Sequence, residues 1–313
     1  SRASVVLVAA IIQARVGSTR LPGKVLRLLP RTPAVNGKGG APQTILAHVI
    51  NRAQAIPGVD VVCVATTERE DDDRIVRLAR AAGARVVRGP ERDVLGRYAL
   101  AAQALGADVI IRLTADCPLL DPLVAVAVLR AFENARPHGE AIYASNVHPP
   151  SWYDGADIEI LSRDALETAV SRAGDAEREH VTTWMVAHLR RVNVACPGGR
   201  DDSTLKLSVD TAADLVRVRR TFAALSDRRR FGWRDVLVAY HRAHPHPALI
   251  RARRIFGNRR ASQPYLAAFI AGGRDAAANR SPDPPRDGRE RAYWLGWEDV
   301  AELGHAVVPE MWS

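Results

Sequence analysis

Short apolar runs alternate along this chain with longer stretches in which apolar positions recur every third or fourth residue. The runs at 5–12, 59–65, 85–88 and 108–113 read as buried strands, and the stretches at 44–55, 71–82, 94–105 and 122–135 carry the period of amphipathic helices. A strand-then-helix order repeated in this way predicts an α/β fold with a doubly wound, mostly parallel sheet. Such sheets take their ligands at the carboxyl ends of the strands, so the segments after Gln13 and Leu113 are where chemistry is expected. The alternation ends after about residue 241. This divides the chain into an α/β domain over 1–245 and a helical extension over 246–313, rich in Arg, Ala, Pro and Trp.

The first strand opens into Gln13-Ala14-Arg15-Val16-Gly17-Ser18-Thr19-Arg20-Leu21-Pro22-Gly23-Lys24. Gly17 and Gly23 permit close backbone approach, Ser18 and Thr19 offer hydroxyls beside free amides, and Arg15, Arg20 and Lys24 bring positive charge. Three cations within ten residues repel one another unless an anion sits among them, so the loop reads as a polyphosphate cradle. It matches neither GxxxxGK[ST] nor GxGxxG. Lys24 is one of only three lysines, with Lys38 and Lys206, in a chain whose cations are otherwise arginine. A compact ammonium is wanted there. Just downstream, 30–43 holds three prolines and three glycines and reads as a surface excursion.

Composition narrows the class only partly. The 313 residues, 47% hydrophobic, suffice for a large core. No run approaches the ~18 apolar residues of a membrane span, and 5–12 lacks a secretory cleavage pattern, which predicts a cytoplasmic protein without membrane partners. Cys63, Cys117 and Cys196 are odd in number and scattered, arguing against a disulfide framework or a zinc site. The net charge of +9 suits either nucleic acid or a triphosphate.

Carboxylates cluster at other expected strand ends. Asp116 lies in Leu113-Thr114-Ala115-Asp116-Cys117-Pro118-Leu119, and Asp210 in Leu207-Ser208-Val209-Asp210-Thr211 ahead of Asp214. Read alone, Asp210 serves equally as a helix N-cap and Asp116 as an Asx-turn residue. Asp93, with Arg97 a turn later, also has the form of a cap. A further group comprises Asn146, the segment 154–160 and Arg178-Glu179-His180-Val181-Thr182. Asp157 and Glu159 in one strand would share a face, a costly pairing unless a substrate, a cation or a partner such as Arg178 or His180 relieves it.

The string 10–24 resembles the signature loop of the cytidylyltransferase family, which includes CMP-Kdo and CMP-sialate synthetases and the spore-coat polysaccharide protein SpsF; the SpsF branch fits best. The segment around Asp116 resembles that family's T-G-D-x-P-L turn with Ala115 in place of glycine, and the segment around Asp210 its V-D-T-x-x-D turn. Matches to D-V-L-x-R-Y, G-x-D-x-E and R-E-H-V-T extend the resemblance over roughly 5–242. It implies a glycosyltransferase-like nucleotide-binding fold that transfers CMP from CTP to a small acceptor, a sugar or sugar acid for surface polysaccharide, with release of pyrophosphate. It also implies Lys24 and Arg15 as catalytic residues; Gln13, Ala14, Arg15, Gly17, Ser18, Thr19, Arg20, Lys24, Asp93 and Thr114 as nucleotide-binding; Asp116 and Asp210 as Mg2+ ligands; and Asn146, Asp157, Glu159, Glu179 and His180 as acceptor-binding. A homodimer is expected by analogy. A phosphonate acceptor is the alternative within the class.

In the tail, 265–276, 281–286 and 291–297 together resemble ribosome modulation factor. That resemblance opens another reading, an RNA- or ribosome-associated protein with an inactive nucleotidyltransferase-like domain. Trp294 and Trp297 at helical spacing more simply pack a helix hairpin or pair subunits, so nucleic acid is not the expected partner.

Overall fold

The computed structural model describes residues 6–30, 43–135, 141–225 and 230–244. The first strand, β1 (Val8–Gln13), is apolar up to its last residue because it is covered on both faces: Ala9 to Ile12 are fully buried. It is followed by α1 (Ile45–Gln54), β2 (Val61–Thr67), α2 (Asp73–Ala81), β3 (Arg85–Gly89), α3 (Val94–Leu105), β4 (Val109–Thr114) and α4 (Pro122–Ala135). The expected order therefore holds through this half. The second half comprises β5 (Ile142–Ser145), β6 (Glu159–Ser162), α5 (Arg163–Arg172), α6 (Asp175–Glu179), α7 (Thr183–His188), β7 (Arg190–Asn193), α8 (Ala212–Ala224) and α9 (Trp233–Ala243).

The seven strands form one sheet in the order β3-β2-β1-β4-β6-β5-β7. All neighbours are parallel except at β6, which runs antiparallel to both β4 and β5. The sheet is thus mostly parallel, as the sequence predicts, with one reversed strand. On one face Ala9 and Ile11 pack with Cys63 and Ala65 against Leu95 and Tyr98 of α3, Leu166 of α5 and Met185 of α7. Ala10 and Ile12 point to the opposite face.

Local chemistry sets the helix starts. Thr44 Oγ1 caps α1 by accepting from Ala47 N at 3.1 Å, Ser162 caps α5, and α3 runs from the Asp93 cap to Gly106 in the left-handed conformation (φ 69°). The excursion at 30–43, whose interior lies outside the described residues, is closed at its base: Leu29 N donates to Gln43 O at 2.9 Å and Leu28 bridges Thr44. Chain contacts separate a unit Ser1–Ala239 from a second, Tyr240–Ser313. The helical extension expected from 246, with its aromatic segments, lies outside the described residues. Among the described residues no helix is long and apolar enough to cross a membrane. Cys63, Cys117 and Cys196 are all buried and free.

Between α1 and α8, His48 packs edge-on against Phe222 with ring centroids 4.7 Å apart. Its Nε2 has no hydrogen-bond partner among the described residues. Burial, reinforced by the nearby Arg52 guanidinium, pushes the imidazole pKa down to about 4 from 6.5. The unfolded chain therefore binds a proton that the folded chain refuses between those values. Stability should fall as pH drops from about 6.5 to 4, by up to about 3 kcal/mol from this group. Urea unfolding at several pH values should show that limb in the natural protein and a flatter one in His48→Leu; parallel limbs would remove His48 as its source.

Candidate active site

The two loops that carry charge leave the sheet side by side. Gln13 and Thr114 are register partners at the ends of β1 and β4, and the buried Tyr98 hydroxyl bonds both Leu113 O (3.0 Å) and Ile11 O (3.3 Å). Beyond Gln13 the backbone is pinned from below. Val16 N donates to Asp72 Oδ1 at 2.7 Å, and the same buried carboxylate accepts from the Thr67 amide and hydroxyl at the end of β2. Gly23, at φ 66°, turns the loop back so that its N–H reaches Val16 O at 3.0 Å and Lys24 faces inward. Gly17 differs from expectation: its backbone is not left-handed, and an added Cβ would meet nothing closer than Glu91 Oε1 at 3.6 Å. Only Gly23 is demanded by backbone conformation.

Lys24 Nζ lies between the two carboxylates, 2.6 Å from Asp116 Oδ2 and 2.9 Å from Asp210 Oδ1. Val209 N donates to Asp116 O at 3.0 Å, which ties the two carboxylate-bearing segments together. Arg20 Nη2 approaches Asp210 Oδ1 at 3.0 Å from the solvent side. The other oxygen of Asp210 is held by Lys206 Nζ at 2.9 Å, which also reaches Asp154 Oδ2 and Ser208 Oγ, each at 3.0 Å. Burial alone would raise the Asp210 pKa; the hydrogen bonds from Lys206 and Lys24 overcome it and hold the carboxyl down at about 2. Lys24 is likewise opposed by burial, yet Asp116 and Asp210 raise it. Asp157 goes the other way, to about 6, because it is desolvated beside Asp154 and Asp116.

Asp210 is not the cap of α8. Thr211 fills that position in a capping box with Asp214, whose Oδ2 accepts from Thr211 N and Oγ1 at 2.9 Å. Asp210's carboxylate is left to the cleft.

That cleft has a volume of about 360 Å³. Of the residues singled out from sequence, Gln13, Ala14, Arg15, Ser18, Thr19, Arg20, Lys24, Thr114, Asp116, Glu179, His180 and Asp210 line it. Gly17, Asp93, Asn146, Asp157 and Glu159 do not. Asp93 caps α3 (Gly96 N at 2.8 Å) and accepts both Arg178 Nε at 3.0 Å and Nη2 at 2.7 Å. Asn146 uses its amide on Ala156 O and Ile158 N, both at 2.8 Å. Glu159, 4% exposed, is bound by Arg112, by the Tyr143 hydroxyl and by Thr182 Oγ1 at 2.7 Å. Arg112 in turn donates to Gln13 Oε1 at 3.1 Å, which leaves the Gln13 amide NH2 as a free donor type for the cleft. Asp157 lies two residues ahead of β6, so it does not share a strand with Glu159 as expected.

Three contributors were not read from sequence as site residues. Arg97 lines the cleft, buried, donating to Pro90 O (3.0 Å) and Glu91 O (3.1 Å), while its Nε finds no partner among the described residues. Lys206 and Asp72 act behind the lining. The signals were present: Lys206 as a rare lysine, Asp72 within a run of four acids. Val181, fully buried between His180 and Thr182, has φ 58°, an unusual conformation for a β-branched residue. The Thr182–Glu159 bond helps hold it there.

Asp116 follows β4, whereas no strand of the sheet directly precedes Asp210, contrary to expectation; a mostly parallel α/β sheet with a basic loop and these two carboxylates brought together beside it defines a nucleotide-handling enzyme. The cytidylyltransferase family model matches residues 9–193, and this chain belongs to that family. It is 34% identical over 257 residues to a 3-deoxy-manno-octulosonate cytidylyltransferase of Anaeromyxobacter dehalogenans (strain 2CP-C), covering 69% of this chain and 98% of the relative. It is 31% identical over 225 residues to the spore coat polysaccharide biosynthesis protein SpsF of Bacillus subtilis (strain 168), covering 70% and 87%. A solved cytidylyltransferase from Leptospira borgpetersenii serovar Hardjo-bovis (strain JB197) superposes with TM-score 0.65 at 28% identity, over 81% of this chain and 98% of that one.

Gly155 offers a test of how the Asp154–Lys206–Asp210 arrangement is held. Its φ is 115°, and an added Cβ would lie 2.7 Å from the Leu207 carbonyl carbon and 2.9 Å from Ser208 N. Gly155→Ala should destabilise by about 2–4 kcal/mol, from backbone strain plus a clash with main chain. Chemical denaturation reads this directly, and a loss below about 0.5 kcal/mol would show that the two segments part freely.

Proposed function

We propose that this enzyme transfers CMP from CTP to an oxygen of a small sugar or sugar acid used in surface polysaccharide, in a Mg2+-dependent reaction that releases pyrophosphate. The observation that carries this reading is the bridging of Asp116 and Asp210 by Lys24 at the foot of a basic loop. The acceptor oxygen attacks the α-phosphorus while the bond from that phosphorus to the β-phosphate oxygen breaks, and charge gathers on the phosphate oxygens. Lys24 meets that charge at the α-phosphate. Arg15 and Arg20, with the hydroxyls and amides of Ser18 and Thr19, bind the rest of the polyphosphate.

Asp116 and Asp210 would hold the divalent cation. They are hard oxygen donors of the kind Mg2+ takes in ones and twos, the remaining positions being filled by phosphate and water. An ammonium already bridges one oxygen of each, which supports the fit, and among the described residues no cage of three or more ligating side chains competes with them. Such an ion, when bound, neutralises polyphosphate charge and polarises the phosphoryl group. Glu179 and His180 are read as acceptor-side residues, with an imidazole nitrogen of His180 receiving the acceptor's proton. The names of the two curated relatives favour a sugar acid or polysaccharide precursor over a phosphonate.

Pyrophosphate release from each of the four ribonucleoside triphosphates, with a panel of sugar acids and phosphonates, tests the whole reading. CTP with a sugar acid should be the productive pair; turnover only with a phosphonate would replace the acceptor class. Lys24→Ala should lower turnover by around 10² to 10³. Asp116→Asn and Asp210→Asn should each abolish metal-dependent activity, and full activity in either would make that residue structural.

A further inference from the structure

The position of Lys24 carries a consequence for the order in which ligands enter. Its ammonium contacts one oxygen of each carboxylate, 2.6 Å from Asp116 and 2.9 Å from Asp210. It therefore fills the place between them that a bridging cation would take. Asp210 is held against turning away to offer another arrangement. Asp210 Oδ2 is held by Lys206, itself anchored on Asp154 and Ser208, and the Val209–Asp116 main-chain bond keeps the two segments together. An ammonium and a dication cannot share a gap of this width, because like charges a few ångströms apart in a half-buried site repel strongly.

We propose that Lys24 is the resident counter-ion of Asp116 and Asp210 in the free enzyme, and that a divalent cation is admitted to the pair only when a polyphosphate draws the ammonium away. The inference rests on the reading of these two carboxylates as the metal-holding residues. Lys24 then has two partners in sequence: the carboxylates before binding, the phosphates after. Metal and nucleotide become linked through a single side chain, each raising the other's affinity by the same factor. The free enzyme is spared binding a metal without its nucleotide.

Arg20 supplies the control, since it places an equal charge on the same Asp210 oxygen at 3.0 Å but from an exposed side chain that does not sit between the two carboxylates. Mn2+ binding is measured by electron paramagnetic resonance without nucleotide, on natural protein, Lys24→Gln, Lys24→Met and Arg20→Gln, each checked for folding by circular dichroism. Lys24→Gln or Lys24→Met should bind Mn2+ at least about tenfold more tightly than the natural protein, and Arg20→Gln should gain less than about threefold. The gain should vanish in Lys24→Gln combined with Asp116→Asn. No gain in either folded Lys24 variant, or an equal gain in Arg20→Gln, overturns the proposal. If the natural protein with CTP binds Mn2+ in an Asp116-dependent way while the Lys24 variants alone gain nothing, this inference falls and the metal reading stands. If neither the natural protein with CTP nor the Lys24 variants bind Mn2+, both fall.

Discussion

The cleft beside the sheet collects more negative charge than it could hold unpaired, and the positions of Lys24 and Lys206 answer that constraint. Asp116, Asp154, Asp157 and Asp210 meet where four chain segments converge. Lys24 neutralises the inner pair and Lys206 the outer one, with Asp210 shared by both. Asp157 has neither lysine and is the one whose pKa rises. A site built this way is charged, rigid and already partly desolvated before any ligand arrives, the conditions under which electrostatic stabilisation of a phosphoryl transition state is strongest.

Behind the lining, buried polar groups hold the two sides of the cleft in register. Asp72 fixes the loop backbone to β2, and Tyr98 fixes the ends of β1 and β4. Glu159 joins Arg112, and through it Gln13, to Thr182 and the strained Val181 next to His180. These contacts share one logic. A buried carboxylate needs several donors, so a carboxylate placed under a loop collects the loop's amides and hydroxyls and sets their geometry. The acidic residues here therefore do two kinds of work: those at the rim line the cleft, and those beneath it position other residues that line it.

That division explains what could be read from sequence. The alternation of apolar runs and helical periods was sufficient for the sheet of the first half, because parallel strands covered on both faces carry short, mostly apolar runs. The reversal of β6 was not legible, since strand direction depends on pairing and not on pattern. At the site, the loop 13–24 was legible from residue type and local spacing, whereas Asp116 and Asp210 stood out from ordinary caps only through the resemblance of their segments to the family's turns. The cap at Asp93 was legible too, but the roles of Asn146 and Glu159 were not, because a polar residue next to a strand end looks the same whether it faces a ligand or a buried partner. Glu159 is decided by Arg112, forty-seven residues away in the chain but paired across β4 and β6. Asp72 and Lys206 escaped because the contact that ties each to another part of the site, to Val16 N and to Asp154, spans more than fifty residues of sequence.

The use of lysine is the remaining regularity. A chain that relies on arginine almost everywhere places two of its three lysines on one carboxylate, Asp210. Guanidinium is a planar fork suited to clasping a single carboxylate through both oxygens, as Arg178 does on Asp93. That geometry is wrong for a cation that must bridge two carboxylates through one oxygen each and then leave for a phosphate. A point charge on a flexible stem can do both, and its three donors point wherever acceptors lie. At Lys206 the same property joins Asp154, Ser208 and Asp210 through one nitrogen. What distinguishes these two positions is that one nitrogen, not a fork, meets all the oxygens it serves.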